Sequence, residues 1–285
     1  MNYKTNASPA ARVALWVAHG LAAWPLWLLH GLGWGLGWLV WLTAPLYRQR
    51  WRAHTRLAGL SAAQARASIG AAGQQVLELP KVWFGPRLRY TFDGAQHIEA
   101  ALADGGGLLF LTPHMGCFEA TSRAYAETFG AAAPMTVLYR PPRQAWLHPL
   151  LHRARQRPHL EPASTSMTGV KQMLTALRQQ HAVGLLPDQV PPAGLGVWSP
   201  FWGQPAYTMT LAPKLAQQAR HVLLAWGERL PVGRGYVIHV RPAEPPLPAN
   251  AEAAAGQLNA WMEALIQRCP AQYAWGYARF KPPRG

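Results

Sequence analysis

His114 and Glu119, in the stretch Pro113-His114-Met115-Gly116-Cys117-Phe118-Glu119, are residues whose types and spacing could move a proton. An imidazole held by a carboxylate on one ring nitrogen can take a proton from a hydroxyl on the other. That hydroxyl could then attack a thioester carbonyl, with a helix amino-terminus to stabilise the oxyanion. The spacing alone says little. With 11 His and 12 acidic residues in 285, roughly half a His-x4-acid match is expected by chance. A second pair, His239 and Glu244, is indeed present. Five residues along a regular helix leave two side chains about 140° apart. The first pair can therefore work only if His114 sits in a turn before a helix and Glu119 in its first turns. Pro113 and Gly116 allow such a turn. His239 ends an expected strand, and Glu244 falls in a Pro-rich loop with no helix to hold it.

Other groups could complete a site. Asp188 is one of three aspartates and ends an expected strand in Leu186-Pro187-Asp188-Gln189, at the sheet edge where α/β folds bind ligands. It could support His114 as well as Glu119 does. Arg140, Arg143, Arg153, Arg155 and Arg157 place five guanidinium groups in 18 residues without an acid. Arg140 and Arg155 are the choices for binding phosphate, which guanidinium does bidentately. Trp198, Phe201, Trp202 and Tyr207 could line an acyl-chain tunnel or a membrane lip, or pack in the core. Cys117 has no base placed for it and reads as an inert buried thiol. Neither Cys117 nor Cys269 sits in a metal-binding spacing, so no metal is expected. No Gly-x-Ser-x-Gly elbow occurs, which argues against a serine hydrolase.

The elements that must position these groups are an alternation of strands and helices. Short apolar runs predict strands at 107–112, 135–139, 182–186, 221–227 and 236–240. Helical patterns fall at 118–129, 145–156, 167–180, 210–219 and 251–268. The last has Leu258, Trp261, Met262 and Leu265 on one face. The expected fold is α/β, a single mainly parallel sheet flanked by helices and preceded by an amino-terminal membrane helix. The division is an anchor with a basic flank over residues 1–56 and a catalytic domain over 57–285.

Residues 13–46 contain no Lys, Arg, Asp or Glu and are rich in Trp and Leu. The run exceeds the roughly 20 apolar residues that span a bilayer, and is too long for a cleavable signal peptide. Pro25 and the glycines at 31, 33, 35 and 37 are candidates to break it, giving one span or a shallow hairpin. Arg48, Arg50, Arg52 and Arg56 follow it, so the positive-inside rule places the catalytic domain on the cytoplasmic side. His19 and His30 are expected at the membrane interface. A formal charge of +15 calls for an anionic partner, and charge alone does not choose among nucleic acid, lipid and an acidic protein. No helix-turn-helix or RNA-binding signature supports nucleic acid.

Four blocks in order resemble the late acyltransferases of bacterial lipid A biosynthesis, within the lysophospholipid-acyltransferase-like superfamily. They are GLLFLTPHMGCFEA, YRPPRQAWLHPLLHRARQR, GLLPDQVPPAGLGVWSPFWGQPAYTMTLAPKLAQQA and CPAQYAWGYARFKPPRG. The resemblance implies a glycerol-phosphate-acyltransferase-like fold in the bacterial inner membrane. His114 would act as general base with Glu119 or Asp188. The donor would be acyl carrier protein, whose phosphopantetheine carries the chain, and the acceptor a hydroxyl of a lipid A precursor. No separate cofactor is implied. The chain departs from the family in Cys117-Phe118, where Asn-Trp or a similar pair is usual. It also lacks the Glu-Gly-Thr motif of glycerolipid members, which disfavours a lysophospholipid acceptor. The alternatives are acylation of another polar lipid, such as a lysophospholipid, glycolipid or amino-lipid, and a basic, membrane-tethered binding module without catalysis.

Overall fold

The computed structural model describes residues 9–140, 144, 151 and 154–284. Seven strands form one sheet in the order β1 (Tyr90–Asp93), β9 (Tyr236–Pro242), β8 (His221–Arg229), β2 (Leu108–Leu111), β5 (Ala182–Leu185), β3 (Met135–Tyr139) and β4 (Leu160–Ser164). All neighbours are parallel except β8 with β9. Strands β6 (Gly196–Phe201) and β7 (Gln204–Met209) form a separate antiparallel hairpin. The five expected strands are all present. β1, β4 and the hairpin were not foreseen.

The central strands are buried on both faces, which is why β2 reads as Leu-Leu-Phe-Leu without alternation. One face packs on α6 (Ala95–Asp104) and α7 (Phe118–Thr128), through Ile98, Ala120, Ala124 and Tyr125. The other packs on three helices, here named α8 (Met167–Arg178), α9 (Leu211–Ala216) and α10 (Ala251–Arg268). Leu258, Trp261, Met262 and Leu265 of α10 are all buried, as their spacing predicts. Helix α9 is shorter than the 210–219 expectation. The expected helix over 145–156 lies mostly outside the described residues.

The apolar amino-terminal run divides into α1 (Pro9–Ala23) and α2 (Leu26–Thr43), followed by α3 (Pro45–Leu57). Pro25 makes the break. The glycines do not, and two of them serve packing instead. A Cβ at Gly33 would meet backbone of Gly73 and Gln74, and one at Gly37 would meet backbone of Ile69 and Gly70. The glycine face thus lets α2 lie directly on the backbone of α4 (Ala62–Leu77). Helix α2 is long and apolar enough to cross a membrane, and Trp27, Trp34, Leu39 and Leu42 on it are exposed. His30 is not interfacial but buried, with Nε2 3.0 Å from Glu78 Oε2.

Candidate active site

His114 follows β2 through Thr112-Pro113 and sits at the carboxyl edge of the sheet, before the first turn of α7. The turn depends on Gly116, whose φ is +57° and whose Cβ position would run into the Gly227 carbonyl. Two backbone bonds pin it: the Gly116 N–H donates to the Gln272 carbonyl at 3.0 Å, and the Cys117 N–H to the Gly227 carbonyl at 2.8 Å. These amides are therefore committed and cannot serve an oxyanion. A hydrogen bond from the Ala274 N–H to the His114 carbonyl, 3.1 Å, ties the carboxy-terminal segment to the same turn.

The carboxylate on His114 is that of Asp188, not Glu119. Nδ1 lies 2.6 Å from Asp188 Oδ1, and the His114 backbone N–H donates to Asp188 Oδ2 at 2.9 Å. Both oxygens of one carboxylate thus fix the ring and its turn together. Asp188 is 2% exposed. Burial pushes its pKa up, and the nearby His114, by charge and hydrogen bonds, more than offsets this and holds the carboxyl below its ordinary value. With Nδ1–H donated to a carboxylate, Nε2 is the basic nitrogen. There the Gln189 side-chain amide donates to it at 3.0 Å. Tyr273 lies buried near Asp188 in the carboxy-terminal segment, and its phenol is pushed well above the ordinary range, first by burial and then by the Asp188 charge. The Val190 N–H donates to Tyr277 Oη at 2.9 Å, so the same segment also holds the loop after β5.

Glu119 is buried within the first turn of α7, where the spacing placed it. Its Oε1 accepts from Arg155 Nε at 3.0 Å and also from Nη2. The Arg155 guanidinium in turn lies over the Tyr139 and Trp83 rings. The His-x4-Glu spacing therefore yields two hydrogen-bonded pairs, His114 with Asp188 and Glu119 with Arg155, instead of one. His114, Glu119, Arg140, Arg155 and Gln189 all line one cavity of about 640 Å³. Its remaining wall is largely apolar, including Phe110, Met135, Val137, Leu185 and Leu195.

Other expected residues lie elsewhere. Phe201 is 1% exposed in the core, Trp202 packs against Trp275 and Phe201, and Trp198 stands half-exposed against Tyr207. None of the three lines the cavity. Arg279 is buried and donates to the Tyr207 carbonyl and Thr208 Oγ1. Arg157 donates to the carbonyls of Val82 and Trp83, while Arg143 and Arg153 lie outside the described residues. Cys117 is buried, and burial together with the Glu78 charge pushes its thiol well up, which fits an inert side chain.

Beneath the turn is a buried cluster with no counterpart in the sequence expectations. Glu78, 0% exposed, accepts from Arg229 Nε at 2.7 Å and from Tyr236 Oη at 3.0 Å, besides its contact with His30. Arg229 Nη2 also reaches the Gly116 carbonyl at 3.3 Å. The cluster links α2, the start of α5 (Leu79–Phe84) and the sheet to the His114 turn.

Residues 61–282 match the family model described as bacterial lipid A biosynthesis acyltransferase. A lipid A biosynthesis acyltransferase of Haemophilus influenzae is 29% identical over 66% of this chain and 58% of its own length. The lipid A biosynthesis lauroyltransferase of Escherichia coli is 29% identical over 73% of this chain and 69% of its own. The palmitoleoyltransferase of that organism is 26% identical over 73% and 68%. The aligned part of this chain thus spans under two thirds of the Haemophilus relative's length and slightly over two thirds of the other two. With a match that runs from the start of α4 to the carboxy-terminal segment and takes in His114, Glu119, Asp188 and the cavity, the chain belongs to the bacterial lipid A biosynthesis acyltransferase family.

Proposed function

We propose that the protein transfers a fatty acyl chain from acyl carrier protein to a hydroxyl of a lipid A precursor, with His114 as general base. The observation that carries this reading is a His–Asp pair at the mouth of a largely apolar cavity with two arginines beside it. Asp188 holds the ring so that Nε2 faces the cavity. The acceptor hydroxyl takes the place of the Gln189 amide at Nε2 and loses its proton there as its oxygen attacks the thioester carbon. The oxyanion so formed is met by Arg140 and Arg155, since the Gly116 and Cys117 amides are already bonded. Collapse of the intermediate breaks the carbon–sulfur bond, and the imidazolium returns its proton to the leaving thiolate. Glu119 acts through Arg155, holding the guanidinium at the cavity mouth.

The excess of basic residues suits both an acidic carrier and an anionic glycolipid. The exposed Trp and Leu of α2, with the arginines after it, suit a place in the inner membrane with the cavity on the cytoplasmic side. Purified protein incubated with loaded acyl carrier protein and a lipid A precursor is expected to yield a product heavier by one acyl chain, detected by mass spectrometry. Absence of that product with every acyl chain tried would overturn the reading.

A further inference from the structure

The cavity crosses the carboxyl edge of the sheet, and its two ends differ. On the α8 side it is bordered by Met167, 73% exposed, and Leu195, 56% exposed, so that end opens to solvent. On the α7 side it runs inward between the helix and the sheet. There the strand register sets Phe110, Gly184 and Val137 in one row across β2, β5 and β3. The next row down is Leu108, Ala182 and Met135, whose exposures are 0%, 0% and 3%, and it closes the space.

Gly184 is the anomaly in this wall. Glycine in a strand interior weakens it, and usually marks a bulge or a close approach by a ligand or another backbone. No such demand of the fold applies here. Its φ is not positive, and a Cβ built on it would meet Val137 Cγ1 at 3.4 Å and Met135 Sδ at 3.6 Å, both ordinary contacts. The missing side chain therefore leaves room for an occupant of the cavity. Phe110, Val137 and Met135 make the surroundings of that room apolar, and His114, Glu119, Arg140 and Arg155 line the same cavity.

We propose that the space over Gly184 is the closed end of the acyl slot, so that Gly184, with Met135 behind it, sets the longest chain the enzyme accepts. This rests on the acyl-transfer reading above. A chain whose carbonyl lies at His114 runs its methyl end along α7 to the Phe110–Gly184–Val137 row, and each further methylene must fit there or be left in water. A branched side chain at Gly184 occupies that volume and shortens the slot.

The test compares wild type with Gly184→Leu, using acyl carrier protein loaded with decanoyl, lauroyl, myristoyl or palmitoyl chains. Since a single methylene in a shaped pocket is worth about 10- to 200-fold, the ratio of palmitoyl to decanoyl turnover is expected to fall at least about tenfold. Gly184→Ala, whose methyl group fits the existing space, should shift the ratio the same way by less. Met135→Ala should shift it toward longer chains, which keeps the test alive where the leucine variant fails to fold. Ratios unchanged in the folded variants overturn the proposal. Displacement of a bound fluorescent fatty acid by free fatty acids of the same lengths separates this failure from that of the function. A length profile that moves with Gly184 in binding, with no transfer of any chain, supports the slot and overturns the reaction.

Discussion

His114 lies where a parallel strand ends and a helix begins, on a carboxylate that is 2% exposed and reaches it from the neighbouring strand. His239 lies within β9, next to the one antiparallel pairing of the large sheet, between Asp93 and Glu228. Its ring stacks on Trp226 with centroids 4.3 Å apart, and both carboxylates are largely open to solvent. Each histidine begins a His-x4-Glu match, yet the hydrogen-bond partner of each is a different acid: Asp188 for the first, Asp93 and Glu228 for the second. The difference teaches that the spacing marks a place in the fold and does not make the pair. At His114 one ring nitrogen is bound to a carboxylate and the other faces a cavity. At His239 carboxylates occupy both nitrogens, and none is left to face a substrate hydroxyl.

The sharpest way to break this contrast is His114→Ala, expected to lower kcat about 10⁴-fold, the upper end of what a positioned general base contributes. Circular dichroism and membrane fractionation should be unchanged, because the ring lines a cavity and packs chiefly on Phe118. Turnover within tenfold of wild type would remove His114 from the reaction.

Next in size is the buried cluster beneath the turn, which has no equivalent near His239. Glu78→Gln leaves the Arg229 charge without its counter-ion and should cost about 3–5 kcal/mol of stability, read by denaturant unfolding in detergent. Burial alone would push the Glu78 carboxyl up, but the charge and hydrogen bonds of Arg229, helped by His30, outweigh it and hold the pKa at about 2 against 4.5. A depressed carboxyl contributes stability that is complete above its unfolded value and is lost as pH falls through the folded one. Wild-type stability should therefore decline between about pH 4.5 and 2, and the Gln variant, already weaker, should decline less over that interval.

Asp188→Asn keeps the shape but offers Nδ1 an amide that can equally donate, so the ring loses its fixed tautomer. A fall in kcat of about 10²- to 10⁴-fold is expected, no larger than that for His114 because the ring itself remains. Glu119→Gln in the same assay separates the two acids. Were its loss the larger with Arg155 still in place, the pairing of His114 with Asp188 would not be the one used in catalysis. Smaller again is Tyr273→Phe, which removes a buried hydroxyl from beside Asp188 and should lower kcat about fivefold with KM unchanged.

What could be read from the sequence follows from the range over which each feature is encoded. Strand β2 was legible because burial on both faces makes every residue apolar. Strand β4, Leu-Glu-Pro-Ala-Ser, was not, because it is the sheet edge and tolerates Glu161 and Pro162. The place of His114 before a helix was legible from Pro113 and Gly116, since a turn is a local matter. Its partner was open between two acids, because Asp188 is 74 positions away and the contact is made by strand order. Arg155 reaches Glu119 across 36 positions for the same reason. Gln189 and Tyr273 lay within the Pro-Asp-Gln and Pro-x-Gln-Tyr blocks, but only the fold brings those blocks together. The aromatic group at 198–207 was open between a cavity wall, a membrane lip and the core, because composition cannot tell a hairpin packed on the core from one that faces a ligand.

The smallest expected effect completes the comparison. His239→Ala removes a ring that shields one face of Trp226, itself 5% exposed, and takes one partner from each of two carboxylates. The lost stacking is worth about 0.5–1.5 kcal/mol, and the ion pairs less, since water and salt screen Asp93 and Glu228 where they stand. Asp93 also keeps Arg241, whose hydrogen bond is the first cause of its lowered pKa, so removal of His239 does not strand a charge. Stability should fall by about 1 kcal/mol in the same unfolding assay, while acyl transfer stays within about twofold of wild type, as for a surface change away from the site. A loss of transfer approaching that of His114→Ala would mean that strand β9 takes part in the reaction, and that the two histidines differ less than their surroundings say.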